Sequence, residues 1–151
     1  MSSSPSIFGR ILWSTIGVVI GALVGAIANG TTLNLGAALI PPPTGVDPNN
    51  IESINAAIGQ YSMVQLMVPF TAHAVGALLG GAIAWAIARG RAAGMVSAIV
   101  VGALFLAGGV TMVVMLPNTP AWFAALDLIG AYFPMAWLGT RIARLLLPSL
   151  A

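Results

Sequence analysis

Four long apolar stretches constrain the fold of this chain more than any other feature of its sequence. They cover about residues 8–28, 65–88, 93–116 and 122–144. A helix needs roughly 20 apolar residues to cross the hydrocarbon core of a bilayer, and each stretch provides them. A transmembrane β-strand would be about ten residues of alternating character, and the stretches do not alternate. We therefore predict an all-α fold, a four-helix transmembrane bundle that forms one membrane domain over residues 1–151.

The low number of charged residues excludes most other classes of protein. The chain has five basic and three acidic residues among 151, whereas about a quarter of a soluble domain is charged. A soluble enzyme, a nucleic-acid binder and a disordered chain are therefore excluded. The chain has no cysteine, which excludes disulfides and thiolate metal sites. The partners we expect are the lipid bilayer and other membrane protein subunits, or further copies of the same chain.

The arginines indicate how the helices are oriented. If the chain crosses the bilayer four times, all five lie on one side of it: Arg10, Arg89, Arg91, Arg141 and Arg144. The opposite side receives Asp47 and Glu52 and no basic residue. Because basic residues accumulate on the cytoplasmic side, we predict cytoplasmic N- and C-termini in a bacterial cytoplasmic (inner) membrane.

The first stretch has an alternative interpretation as a signal peptide. Arg10 precedes its apolar run, which starts at about Ile11, and Ala26-Ile27-Ala28 matches the small-residue pattern of a cleavage site. Its apolar run is longer than the usual apolar region of a signal peptide, so we predict a retained span.

The connection between the first two spans, residues 29–64, is long enough to hold structure of its own. The sequence Asn29-Gly30-Thr31-Thr32 predicts a turn at its start, and Asp47-Pro48 is typical of a helix N-terminus. Apolar side chains then recur on one helical face: Ile51, Ile54, Ile58 and Tyr61. We predict an external loop with a short interfacial helix lying on the outer membrane surface. The alternative is a lid or a docking surface for another protein.

Small residues repeat every four positions in the first two spans. The repeats are Gly17, Gly21 and Gly25 in the first span, and Gly76 and Gly80 in the second. Glycine lets helix backbones approach closely, which is a main source of helix association in lipid. We predict that these glycines form helix-packing faces, within one chain or between chains.

Two ionisable residues, His73 and Asp127, lie well inside the spans. At 1.5 Å per residue they are ~9 Å and ~7.5 Å from the same membrane boundary, and both share a helical face with small residues. We predict that they form an intramembrane polar pair within hydrogen-bonding or water-bridged reach, with Thr111 considered as a third partner. Four interpretations remain open. The two side chains bond to each other or to backbone groups and fix the bundle, they form a proton or ion relay, His73 ligates a cofactor, or their placement is accidental and unpaired.

No arrangement of residues predicts catalysis, so we expect no catalytic residues, no metal site, no bound cofactor and no enzyme activity. A single histidine cannot supply both axial ligands of a haem within one chain. The polar content is minimal and the small-residue faces are prominent. These features favour an accessory or structural subunit that packs in a homo-oligomer or a larger membrane complex. The alternative is a small transporter or channel that uses His73 and Asp127 as its polar site.

Three segments together resemble a group of small bacterial four-span membrane proteins of unknown function. They are Ile40-Pro41-Pro42-Pro43-Thr44-Gly45-Val46-Asp47, Ala72-His73-Ala74-Val75-Gly76 and Phe133-Pro134-Met135-Ala136-Trp137-Leu138-Gly139. This resemblance implies the four-span fold and no particular activity. The small multidrug transporters share the size and the number of spans, but they rely on a glutamate in the first span. The first span of this chain has no acidic residue, which argues against that family.

Overall fold

A computed structural model describes residues 6–88 and 91–148, and the regular structure within them is helical. The helices are α1 (Ile7–Leu39), α2 (Ile51–Ala57) with a 3₁₀ turn (Ile58–Gln60), α3 (Met63–Ile87), α4 (Arg91–Met115), α5 (Ala121–Gly130) and α6 (Phe133–Leu146). Within these residues, four segments are long and apolar enough to cross a membrane: α1, α3, α4 and the α5–α6 pair. The chain therefore has the architecture of a multi-pass membrane protein with four spans.

Helix α3 lies at the centre of the bundle, between α1 on one side and α6 on the other, and α4 packs against all three. A Cβ atom at Gly21 would lie 2.5 Å from the carbonyl oxygen of Gly80, and one at Gly25 would lie 2.7 Å from that of Gly76. The predicted glycine faces of the first two spans therefore meet each other within one chain. Across α3, Gly81 brings the backbone of α6 equally close at Ala136.

Helix α1 is longer than the sequence predicted. The turn expected at residues 29–32 is wrong, because α1 continues without a break to Leu39. Its contact with α3 also continues, since a Cβ atom at Gly36 would lie 2.6 Å from a methyl group of Val68. Packing along α3 outweighs the local turn preference of Asn29 and Gly30. The helix ends where three prolines follow, starting at Pro41.

The fourth span is two helices instead of the one continuous helix predicted for residues 122–144. Helix α5 ends at Gly130 and α6 begins at Phe133, so the chain bends at Ala131 and Tyr132. Pro134 explains the break, because proline has no N–H to continue the hydrogen-bond ladder and its ring collides with the carbonyl group four residues earlier. In the first turn of a new helix the same residue is tolerated.

A short helical unit, residues 51–61, covers one end of the bundle and is called the cap below. The sequence predicted this helix, but it starts at Ile51 with Asn50 as its N-cap, not at Asp47-Pro48. The Asp47 side chain instead accepts a hydrogen bond from the Asn49 backbone N–H and stabilises the preceding turn. Ile58 of the cap is buried in a core with one residue from each neighbouring element. These are Leu66 of α3, Leu116 at the end of α4 and Phe123 of α5.

Polar contacts also fix the cap to the rest of the bundle. The backbone N–H of Asn118, in the turn between α4 and α5, donates to the side-chain oxygen of Asn55 at 3.0 Å. The Asn118 side chain in turn donates to the Asn55 carbonyl at 3.0 Å. Gln65 of α3 donates to the carbonyl oxygen of Pro41 at 2.7 Å, which holds the chain that leaves α1. The connection between α1 and α3 is therefore an ordered part of the fold.

Candidate intramembrane polar site

His73, Asp127 and Tyr132 form a compact cluster inside the bundle near the cap end. Nδ1 of His73 lies 2.9 Å from Oδ1 and 3.0 Å from Oδ2 of Asp127. The Tyr132 hydroxyl donates to Oδ2 of Asp127 at 2.9 Å and lies 3.0 Å from His73 Nδ1. The rings of His73 and Tyr132 stack with centroids 5.6 Å apart. The structure thus brings together the two ionisable residues singled out from the sequence and adds a phenol to them.

The hydrogen-bond partners limit the roles of the three side chains. The Tyr132 hydroxyl donates to Oδ2 of Asp127, and an ionised carboxylate only accepts hydrogen bonds. With Asp127 as the acceptor, the tautomer of His73 that satisfies these contacts has its proton on Nδ1. Both contacts use Nδ1, so the Nε2 edge of the ring points away from the two partners.

Burial differs among the three side chains. Asp127 and Tyr132 are almost fully buried, whereas 19% of the His73 side chain is exposed. The hydroxyl of Tyr132 lies against the backbone of α4 at Gly109. It contacts the position that a Cβ atom would take there. The cluster therefore joins α3, α4, α5 and the start of α6 at one point.

Tyr132 is the residue that sequence reasoning missed. In a continuous helix a residue five positions after Asp127 is rotated by about 140° from it and faces another direction. The break after Gly130 removes this rotation and turns the phenol back toward the carboxylate. Pro134 was the available signal, since it predicts a break in the fourth span. Thr111, considered as a third partner, instead donates to the Ala107 carbonyl of its own helix at 2.8 Å.

The predicted packing residues lie apart from this cluster. Gly17, Gly21 and Gly25 are buried on α1 against α3. Gly76 and Gly80 face α1 from α3, and the side chain of Phe105 enters from α4 at the level of Gly76. These glycines form the α1–α3 interface and contribute no polar group to the site.

The donor set limits what the cluster can bind. Within residues 6–88 and 91–148, no three His, Cys, Asp or Glu side chains converge as a metal site. The cluster offers one imidazole, one carboxylate and one phenol, a set suited to holding and exchanging a proton. Comparison with known proteins adds no relative: no family model matches the chain, and neither the curated proteins nor the solved structures searched contain a match.

Proposed function

We propose that this protein is a non-catalytic subunit of a membrane assembly, either a homo-oligomer or a larger complex, in a bacterial inner membrane. The observation that carries this proposal is the outward surface of α1. A helix of 33 residues is ~50 Å long, whereas the hydrocarbon core is ~30 Å thick. Large apolar side chains are exposed at both of its ends, Ile7 and Phe8 at one and Leu35 and Leu39 at the other. These ends extend past the hydrocarbon core, so lipid tails do not cover the exposed side chains. The surface of a partner subunit would bury them.

The same proposal gives the chain an orientation. The side chains of Arg10, Arg141 and Arg144 lie at the end of the bundle opposite the cap, and by the positive-inside rule this end is cytoplasmic. The cap then lies on the outer membrane surface as an interfacial helix. Reporter fusions at Ala151 should give a cytoplasmic signal, and fusions within residues 44–55 an external one. The opposite pair of signals would contradict this orientation.

In this proposal the polar cluster is a structural lock for α5. This helix is ten residues long and buries only Phe123 and Asp127 among its side chains. Phe123 enters the core under the cap, and Asp127 binds His73 and Tyr132. Each polar contact of Asp127 is made inside the cluster, as expected of a group that fixes packing. These contacts hold α5 against α3.

The assembly is tested by purifying the full chain in a mild detergent and measuring the mass of the protein in the particle. We expect a mass of at least twice 15.3 kDa, the mass of one chain, or a mass that includes other subunits. Leu39→Ala should weaken the assembly, whereas Leu104→Ala, at an exposed position in the middle of α4, is the matched control. A monodisperse particle containing one chain and no other protein would overturn the proposal.

A second candidate function, a small proton-coupled transporter or channel, is favoured by the broken fourth span. Discontinuous helices build substrate and ion sites in many transporters, and here the break lies beside the only buried carboxylate of the described chain. Oδ1 of Asn29 is also buried without a hydrogen-bond partner in the described residues. Asn29 packs at Gly76, about one turn along α3 from His73. An unsatisfied oxygen at this position is a place where water could enter.

Proton flux separates the two candidates. The wild-type chain and Asp127→Asn would be reconstituted in liposomes that contain a pH-sensitive dye, with a pH difference across the membrane. The subunit proposal predicts that wild-type vesicles take up protons no faster than protein-free vesicles. Uptake by the wild type that is lost in a folded Asp127→Asn variant would establish the transporter instead.

A further inference from the structure

The charges of this chain are separated along the bundle. Its three acidic side chains, Asp47, Glu52 and Asp127, lie at the cap or in the half of the bundle next to it. Arg10 lies near the start of α1, at the opposite end, and its side chain is exposed. The positive charge of Arg10 therefore has no carboxylate side chain of the same chain at its own level.

A surface groove lies beside Arg10, between the first turns of α1 and α4. Its volume is about 350 Å³. Its wall is mostly apolar, and its polar residues are Arg10, Ser14 and Thr15 on α1. The remainder is apolar, with Ile11 on α1 and Ala93 and Val96 on α4. The groove thus combines a cation and hydroxyl groups with a hydrocarbon surface.

The level of the groove matches the headgroup region of a bilayer. Gly17 meets Ala84 and Ala88 at the end of α3, and Arg10 lies seven residues earlier, ~10 Å further along the helix axis. The headgroup region adds roughly 5–8 Å on each side of the hydrocarbon core. Thr15 and Ser14, ~3–5 Å from Gly17, therefore lie in the headgroup region, and Arg10 lies at its outer edge, from which its long side chain reaches the phosphate groups.

We propose that this groove binds a phospholipid with a negatively charged headgroup. The phosphate is recognised by the guanidinium of Arg10 together with the hydroxyl groups of Ser14 and Thr15, and an acyl chain runs from there toward the bilayer centre along Val96. Guanidinium and hydroxyl groups are effective donors to phosphate oxygens. Basic pockets between transmembrane helices bind anionic lipids in this way. The proposal is independent of the polar cluster and of the subunit function.

The test is a competition between two lipids with identical acyl chains, phosphatidylglycerol and zwitterionic phosphatidylcholine. The detergent-solubilised full chain is incubated with an equimolar mixture, and bound lipid is counted by native mass spectrometry. The wild type should prefer phosphatidylglycerol. Arg10→Gln should reduce this preference about fivefold, the factor that one basic side chain contributes next to an anionic headgroup. Ala92→Leu fills the groove without changing the charge and should also reduce it.

The matched control is Arg141→Gln, which removes an exposed arginine from the same end of the bundle but from α6. It should leave the preference unchanged. An equal loss in Arg10→Gln and Arg141→Gln would overturn the proposal in favour of diffuse attraction. An unchanged preference in Ala92→Leu would show that lipid does not occupy the groove. Displacement of phosphatidylglycerol by inorganic phosphate would identify a soluble anion as the ligand and would also overturn it.

Discussion

The hydroxyl of Tyr132 lies against the backbone of α4 at Gly109, in the space that a Cβ atom would occupy there. The neighbouring Gly108 has nothing within 4 Å of the same position. Only one of these two adjacent glycines is therefore required by packing. Through this contact α4 holds the phenol in reach of His73 and Asp127.

Gly109→Ala should destabilise the protein, because the added methyl group pushes the Tyr132 hydroxyl out of its place in the cluster. Overpacking of this kind costs about 1–3 kcal/mol. Gly108→Ala is the matched control and should be neutral or stabilising by up to about 1 kcal/mol, since alanine is the better helix former. Thermal unfolding in detergent measures both variants. Equal effects at the two positions would mean that Tyr132 does not depend on Gly109.

Tyr132→Phe should also lower stability, because Oδ2 of Asp127 loses its hydroxyl donor while the carboxylate stays buried. Oδ2 keeps only its contact with Nδ1 of His73, and the loss of a hydrogen bond to a charged group costs about 1.5–3 kcal/mol. The same change at Tyr61, a half-buried residue at the edge of the cap, should cost less. The free energy of unfolding in denaturant provides the comparison. A Tyr132→Phe variant as stable as the wild type would show that the phenol hydroxyl does not support the cluster.

The sequence was sufficient to place His73 and Asp127 together because depth and helical face both follow from counting residues in regular helices. It was insufficient for Tyr132, whose position depends on the break between α5 and α6. Counting residues assumes a continuous helix and would place this side chain on a different face from Asp127. Pro134 carried the missing information, but a proline inside a span does not by itself indicate whether a helix kinks or ends.

The end of α1 was mispredicted for a different physical reason. Asn29 and Gly30 favour a turn in isolation, yet both lie within the helix. The contact of Gly36 with Val68 shows that α3 supports α1 beyond the predicted turn. Such a contact depends on which helix lies alongside, and local sequence does not encode this. The glycine repeats indicated that a close helix contact exists but left its partner open.

Gly21→Leu should weaken the α1–α3 interface, because its side chain would enter the space next to the Gly80 carbonyl. We expect the free energy of unfolding to fall by about 1–3 kcal/mol, with the protein still inserted in the membrane. Gly30→Leu adds the same side chain to the same helix where nothing lies within 4 Å, and should be tolerated. The two variants are compared by thermal unfolding. Native stability in Gly21→Leu would contradict the packing of these two helices.

The measurement that tests the structural lock most directly is a double-mutant cycle on His73 and Asp127. The unfolding free energies of His73→Ala, Asp127→Asn and the double variant are compared with that of the wild type in the same detergent. Each side chain offsets the free-energy cost of burying the other. Each single change therefore leaves one buried polar group without this partner. We predict that the double variant loses clearly less stability than the sum of the two single losses, by about 0.5–3 kcal/mol. Additive losses would contradict the account, because they would mean that the two residues act independently.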